Sequence, residues 1–158
     1  MRALFTSVLF LVAATLSTAA DLTIIRVWPG YRTAESFVRI SEYFDKNEDS
    51  EAQHIIRTQP DTRAGYYFLV RLKNTTAETT AIRIELQVIT PFSTDPKTYT
   101  FDRPIPKGST AFNLGLTGTD WPGTPKDEVV AWQIRLLTPT GTELAKTQSF
   151  LWSLPAKK

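Results

Sequence analysis

The sequence predicts an all-β protein built as an antiparallel β-sandwich of about seven to eight strands, with one short helix near residues 33–46. Two observations lead to this prediction. From residue 65 onward, apolar and polar residues alternate with a period of two, which is the pattern of strands that bury one face. Turn signals separate these runs at intervals of about ten residues, a spacing typical of β-sandwiches.

The N-terminal residues differ in composition from the rest of the chain. Arg2 supplies a positive charge, residues 3–16 are almost uninterruptedly apolar, and Ser17-Thr18-Ala19-Ala20 offers small residues for cleavage. This pattern predicts a secretory signal peptide over residues 1–20 and export to the periplasm or to the outside of the cell. The alternative is an N-terminal membrane anchor, but the apolar run is shorter than the ~20 residues that a spanning helix needs. Residues 21–158 are predicted to form a single β-sandwich domain without a further membrane span.

The amino-acid composition argues against several kinds of catalytic chemistry and of binding partner. The sequence contains no cysteine, which excludes disulfides and thiolate catalysis. Its formal net charge of +2 falls to +1 when Arg2 is removed with the leader. Basic and acidic residues are mixed, and the only basic block is Lys157-Lys158 at the C-terminus. We therefore expect no nucleic-acid partner, because binding to phosphates needs a clustered positive field. No cofactor is expected either.

The predicted strands follow one another with short polar turns between them. The clearest alternation lies in two neighbouring segments, residues 66–73 and 82–88, which a polar turn beginning at Asn74 separates. A hairpin or a corner between two sheets would join them in this way. The sequence Pro139-Thr140-Gly141-Thr142 marks a second hairpin turn. The remaining strands are predicted at residues 22–28, 54–59, 99–101, 112–116, 130–136 and 144–152.

Two segments rich in proline or glycine are predicted as loops. Pro91 and Pro96 bracket the first, and the second covers residues 117–127, which contain two glycines and two prolines. The sequence Lys107-Gly108-Ser109 predicts a tight turn between the strands on either side of it.

Residues 33–46 break the strand pattern. Phe37, Ile40 and Phe44 recur at helical spacing, and Thr33 is a suitable N-cap. Two glutamates each stand four residues before a basic residue, which is the favourable order on a helix. As a strand, the same segment would place an acidic residue among the apolar ones on one face. We therefore predict a helix here.

The acidic segment after this helix resembles the first half of an EF-hand calcium loop. Asp45, Asn47 and Asp49 would supply oxygens at the first, third and fifth loop positions. The sixth position should be glycine but is Ser50, and the twelfth should be glutamate but is Ile56. Because half of the ligand cage is missing, we interpret the segment as a solvated acidic loop. A weak, irregular calcium site is the alternative.

His54 is the only histidine, so a zinc site with several imidazoles is excluded and any Ser/His/Asp arrangement must run through this residue. The sequence contains no G-x-S-x-G nucleophile elbow. We therefore predict that His54 is a strand residue that faces solvent or is partly buried, and we expect no enzyme activity. The sequence Asn74-Thr75-Thr76 matches the N-glycosylation sequon, but we interpret it as a turn.

Two tryptophans begin the same tripeptide, Trp28-Pro29-Gly30 and Trp121-Pro122-Gly123. Proline followed by glycine suits the centre of a type II turn, which would place each indole at a strand end or on a loop. In an immunoglobulin-like strand order the two connections lie at the same pole. Trp28, Tyr31 and Trp121 are therefore candidates for one aromatic patch that stacks a sugar ring or anchors a partner. The alternative is that both indoles plug the open end of the core.

Part of the chain resembles a known group of domains. Residues 68–91 read F-L-V-R-L-K-N-T-T-A-E-T-T-A-I-R-I-E-L-Q-V-I-T-P, a run that resembles bacterial extracytoplasmic immunoglobulin-like domains of the CARDB-like and fibronectin-type kinds. Residues 105–114, I-P-K-G-S-T-A-F-N-L, are similar to the turn and strand that follow in those domains. The resemblance covers residues 65–152 and implies adhesion, glycan binding or scaffolding, usually without catalysis. These families share no site motif, so no functional residue is carried over.

Three functions remain open. The one we favour is a non-catalytic exported protein-interaction or scaffolding module of the bacterial cell envelope, with an envelope protein as its partner. The second is a carbohydrate-binding module that uses Trp28, Tyr31 and Trp121 to bind a glycan. The third is an enzyme with an unrecognised carboxylate site, for which the sequence shows no positive sign.

Overall fold

The computed structural model describes residues 22–37, 53–76 and 80–153, and this part of the chain forms eight β-strands. The strands are β1 (Leu22–Arg32), β2 (Gln53–Arg57), β3 (Gly65–Asn74), β4 (Thr80–Thr90), β5 (Ser93–Ile105), β6 (Gly108–Thr117), β7 (Ala131–Leu137) and β8 (Glu143–Gln148). Short 3₁₀ turns lie at Ala34–Phe37, Gly118–Asp120 and Leu151–Ser153. The predicted all-β class is confirmed.

The strands form two four-stranded sheets. Sheet A has the order β1-β3-β6-β2, and sheet B has the order β5-β4-β7-β8. Neighbouring strands are antiparallel except β2 and β6, which run parallel. Without β2, the neighbours β1, β3 and β6 in one sheet and β4, β7 and β8 in the other follow the order of an immunoglobulin-like sandwich. Among the strands that the structure describes, the parallel strand β2 is the one departure from the antiparallel arrangement that we predicted.

The core lies between the sheets and follows the predicted alternation. In β3, the side chains of Phe68, Val70 and Leu72 point inward and are buried, whereas Arg71 and Lys73 are exposed. β4 buries every second residue in the same way. Burial of each large apolar side chain stabilises the fold by about 1.5–3 kcal/mol, so this alternation is the main reason for the sandwich. The inward row of β4 is Ile82, Ile84, Leu86 and Val88.

Strand β1 continues through the Trp28-Pro29-Gly30 sequence to Arg32, so the turn predicted there is wrong. The register explains the difference. Pro29 lies opposite Phe68 of β3, and β1 is the edge strand of sheet A. A proline is compatible with an edge strand because its missing N–H can face the side without a partner. The ladder with β3 therefore overrides the local turn preference.

The loop predicted between Pro91 and Pro96 is shorter than expected. A turn at Pro91 and Phe92 joins β4 to β5, and β5 begins at Ser93 and includes Pro96. β5 is the edge strand of sheet B, so the explanation given for Pro29 applies again. The hairpin turn before β8 is confirmed, with Gly141 in the left-handed region at a φ of 93°.

The helix predicted over residues 33–46 corresponds to the 3₁₀ turn Ala34–Phe37, and the rest of that segment lies outside the described residues. Phe37 is buried and fixes the turn to sheet A. The strand predicted over residues 54–59 is confirmed as β2. Within the part of the chain that the structure describes, no helix is both long and apolar enough to cross a membrane.

Candidate functional site

Trp121 lies inside the core at the upper end of the sandwich, which we define as the end where β1, β4 and β6 finish. Its side chain is only 4% exposed. Its ring centroid lies 4.6 Å from that of Tyr66 and 5.6 Å from that of Phe92. The Trp121 indole therefore plugs the open end of the core, which the alternative interpretation expected of both indoles. It is not available to a ligand in this structure.

Trp28 has the opposite placement. It lies on the outer face of sheet A and is 38% exposed. Tyr31 is partly buried and packs against the core. The two residues border the same shallow groove of about 340 Å³, which Arg32, Ser36 and Tyr67 also line. The groove therefore brings together two of the three candidate aromatic residues, Trp28 and Tyr31, whereas Trp121 is enclosed by the sandwich.

Two arginines flank the exposed indole. The guanidinium carbon of Arg26 lies 4.9 Å from the Trp28 ring centroid, and that of Arg71 lies 5.7 Å from it. Both distances are within the range of cation–π attraction. Arg26 and Arg71 are also directly opposite each other in the β1–β3 ladder. We call these three residues the arginine–indole cluster.

A β-bulge sets this arrangement. The register of β1 against β3 shifts between Ile24 and Arg26, so Ile25 has no partner in the ladder and is exposed. Ile24 and Val27, on either side of the bulge, both pack against the core. The extra residue therefore brings Arg26 to the outer face opposite Arg71, which is how bulges re-aim side chains. Across residues 22–37, 53–76 and 80–153, no carboxylate forms an ion pair with either arginine.

The other end of the groove is supported by stacked side chains. The Tyr67 and Phe37 ring centroids are 4.6 Å apart, and the Arg57 guanidinium lies 5.0 Å from the Phe37 ring. The Tyr67 hydroxyl accepts a hydrogen bond of 2.8 Å from Arg57 Nε and donates one of 2.6 Å to the Arg63 carbonyl. These contacts hold the 3₁₀ turn, which contributes Ser36 to the groove, against sheet A.

A second surface feature lies at the upper end of sheet B. Four large apolar side chains are exposed there, and we call them the apolar end. Their exposed fractions are 48% for Phe92, 45% for Val130, 77% for Phe150 and 52% for Leu151. Backbone hydrogen bonds join the segments that carry these side chains: the Val130 N–H donates to the Ile89 carbonyl at 2.9 Å, and the Ser149 N–H donates to the Trp132 carbonyl at 2.8 Å. The end of β4, the start of β7 and the end of β8 therefore meet at this surface.

His54 and Asn74 make contacts within the fold. His54 is partly buried in β2 and stacks on Phe112 at a centroid distance of 5.1 Å, as predicted for a strand residue. Asn74 is buried, and its Nδ2 donates to the Ile105 carbonyl at 3.0 Å. Its Oδ1 accepts hydrogen bonds from the backbone N–H and the hydroxyl of Thr76. The sequon residues therefore form the turn that we preferred.

The proposed calcium ligands Asp45, Asn47 and Asp49 lie outside the described residues. Ile56, at the last position of the EF-hand pattern, is a core residue of β2. Among the residues that the structure describes, no group of three or more His, Cys, Asp or Glu side chains is placed to hold a metal ion.

Three ionisable groups in or beside the loop between β6 and β7 have altered pKa values: Tyr99 of β5, Tyr66 of β3 and Asp127 of the loop itself. Burial raises the pKa of Tyr99 to about 12, and the nearby Asp120, which accepts a hydrogen bond of 3.2 Å from the Tyr99 hydroxyl, adds to the shift. Burial also raises the pKa of Tyr66, with a contribution from the charge of Glu128. Hydrogen bonds from the backbone N–H and hydroxyl of Thr124 lower the pKa of Asp127. The hydrogen bond from the Tyr99 hydroxyl to Asp120 ties β5 to the start of this loop.

Together these features define a two-sheet β-sandwich with an immunoglobulin-like strand order, an arginine–indole cluster on one sheet and an apolar end on the other. No known protein family, curated protein or solved structure matches the chain.

Proposed function

We propose that this protein is a non-catalytic interaction or scaffolding module, exported to the bacterial cell envelope, and that it binds an envelope protein through the apolar end. The observation that carries the proposal is the exposure of Phe92, Val130, Phe150 and Leu151, which lie on chain segments that hydrogen bonds join at the upper end of sheet B. Monomeric proteins rarely expose a large contiguous apolar patch without using it for binding.

The composition of the apolar end suits a protein interface. Three separate chain segments contribute to it, so it is a surface of the folded domain. Two of its four residues are phenylalanines, and buried aromatic anchors contribute much of the affinity of protein interfaces. The outer face of sheet B beyond it is charged and contains ion pairs between Arg83 and Asp102 and between Glu85 and Arg135. An apolar centre beside polar surroundings is the usual anatomy of such an interface.

Two further parts of the proposal rest on the sequence. Export is supported by Arg2, the apolar residues 3–16 and the small residues that follow. Kinship with the CARDB-like and fibronectin-type domains is supported by the resemblance of residues 68–91 and is consistent with the strand order.

Site-specific photo-crosslinking in a bacterial host that exports the protein tests the proposal. A photo-crosslinking amino acid in place of Phe150 is expected to give an adduct with a discrete envelope protein, identified by mass spectrometry. The control places the same amino acid at Lys97, which is exposed on β5. The purified partner should then bind at least about tenfold more weakly to a Phe150→Ser, Leu151→Ser variant that keeps its thermal unfolding midpoint.

The absence of an adduct at position 150, or equal adducts at both positions, would refute the proposal. A dimer of this chain as the only adduct would mean self-association instead.

The carbohydrate-binding alternative depends on Trp28 and the groove beside it. The exposed indole and Tyr31 border that groove, which is the observation in its favour. The two guanidinium groups over the Trp28 ring weigh against it, because they cover part of the surface that a sugar would stack on. Glycan-array binding that is lost in a Trp28→Ala variant would support this alternative.

A further inference from the structure

We propose that the arginine–indole cluster, Arg26, Trp28 and Arg71, binds an extended acidic peptide segment of a partner protein. The cluster lies on sheet A, whereas the apolar end lies on sheet B, so the two proposals can succeed or fail independently.

The first argument is electrostatic. Arg26 and Arg71 are directly opposite each other across the ladder, and like charges in this position repel. Both side chains are exposed, and within the described residues neither forms an ion pair. Lys73, also exposed, lies two residues beyond Arg71 on the same face of β3. The cluster and Lys73 thus carry an excess of positive charge that an anionic ligand can neutralise.

The second argument is that the cluster is organised in advance. Each guanidinium packs over the Trp28 ring, at 4.9 and 5.7 Å from the centroid, which restricts the two long side chains. Guanidinium groups present their N–H donors at the edge of the group, so an arginine stacked on an indole can still bind a carboxylate with two parallel hydrogen bonds. Less conformational entropy is lost on binding when the donors already have fixed positions.

The third argument concerns the shape of the ligand. Arg26 and Arg71 belong to adjacent strands, and their guanidinium groups surround a single ring. In an extended peptide, side chains two residues apart point to the same side and their α-carbons are separated by about 7 Å. Acidic residues at alternate positions would therefore offer one carboxylate to each arginine. Consecutive acidic residues would present only one carboxylate to the cluster.

The same features favour an acidic peptide over a sugar or a nucleic acid as the ligand. A neutral sugar needs an open indole face, which the guanidinium groups partly cover. Nucleic acid needs a longer basic stripe than three cations, and the chain as a whole has a net charge of only +2. A short run of carboxylates matches both the number and the fork geometry of the available donors.

Binding of a labelled Glu-Thr-Glu-Thr-Glu peptide to the purified chain, measured by fluorescence anisotropy at low ionic strength, tests the inference. We expect saturable binding that salt weakens and that the Gln-Thr-Gln-Thr-Gln peptide does not show. Arg26→Gln and Arg71→Gln should each weaken binding by about tenfold or more, since each removes a charge-assisted hydrogen bond. Arg71→Lys should weaken it less, because the charge remains.

The matched control is Arg103→Gln, which removes an exposed arginine from β5 of the other sheet and should leave the affinity unchanged. The thermal unfolding midpoint separates binding from folding: Arg71→Gln should change it little at low salt, because the relief of the like-charge pair offsets the lost contact with the Trp28 ring. No binding at millimolar peptide, or equal losses in the Arg71 and Arg103 variants, would overturn the inference. Tighter binding of a polyuronate or polyphosphate through the same arginines would overturn the assignment to a peptide.

Discussion

The ring of Tyr67 lies directly over the backbone of Gly115, its partner in the β3–β6 ladder. A β-carbon at position 115 would overlap three carbons of that ring, so only glycine leaves enough room. Phe37 also packs against the Tyr67 ring, at a centroid distance of 4.6 Å, and ties the first 3₁₀ turn to sheet A. The groove beside Trp28 therefore depends on the absence of a side chain at position 115.

Gly115→Ala should accordingly lower the free energy of unfolding by about 1–3 kcal/mol, because Tyr67 and the turn above it must shift. Gly30→Ala is the matched control on β1, where an added β-carbon meets nothing within 4 Å. That substitution should leave stability unchanged or raise it by up to about 1 kcal/mol. Urea unfolding of the two variants measures the difference, and equal effects would contradict the packing described for Tyr67.

The two buried asparagines of sheet A should respond in opposite ways to replacement by leucine. The Asn74 amide is hydrogen-bonded to the Ile105 carbonyl and to Thr76, whereas the nitrogen and the oxygen of the Asn113 amide have no hydrogen-bond partner among the residues that the structure describes. Asn74→Leu should lower the free energy of unfolding by about 1–3 kcal/mol, since it leaves buried partners unsatisfied. Asn113→Leu should be neutral or stabilising, because it removes an unsatisfied buried amide. A similar loss in both variants in denaturant titrations would show that the Asn113 amide has a polar partner in solution.

The two Trp-Pro-Gly sequences should differ strongly in their tolerance of truncation. Trp121→Ala removes the plug of the core and should cost about 3–5 kcal/mol of stability. Trp28→Ala removes an exposed ring and its contacts with two arginines, for a loss of about 1 kcal/mol. Unfolding titrations give both values, and acrylamide should quench the fluorescence of Trp28 but not that of Trp121. Efficient quenching of Trp121 would disprove its assignment to the core.

The raised pKa of Tyr99 should make the protein less stable at alkaline pH. The folded state keeps the Tyr99 proton until about pH 12, whereas the unfolded state releases it near the ordinary pKa of 10.0. The contribution of Tyr99 to the free energy of unfolding is complete below pH 10. It is lost as the pH rises toward 12, because the unfolded state then binds fewer protons than the folded state. The free energy of unfolding should thus fall more steeply with pH in the wild type than in Tyr99→Phe. Identical slopes would show that the Tyr99 pKa is not shifted.

Much of the fold was predictable because the direction of a strand side chain is a local property. Alternate residues point to opposite faces whatever the partner strand is, so Phe68, Val70 and Leu72 could be assigned to the core from their spacing. The charged residues between them could be assigned outside for the same reason. Strand boundaries were less predictable at Pro29 and Pro96, where an edge position removes the penalty that proline carries in a central strand.

The candidate sites were harder to predict because they depend on register. Arg26 and Arg71 are far apart in sequence and become neighbours only through the β1–β3 ladder and its bulge. The apolar end likewise draws on the ends of three strands, so no single segment of sequence shows it.

The amino-acid sequence alone determined that the chain forms strands and which side of most strands is buried, since both follow from the alternation of neighbouring residues. It could not distinguish Trp28 from Trp121, because each begins the same tripeptide. Only the tertiary structure decided that one indole lies between two arginines on an edge strand and that the other is enclosed between the sheets. The physical reason is that the exposure of a side chain depends on what packs against it, and those residues come from distant parts of the chain.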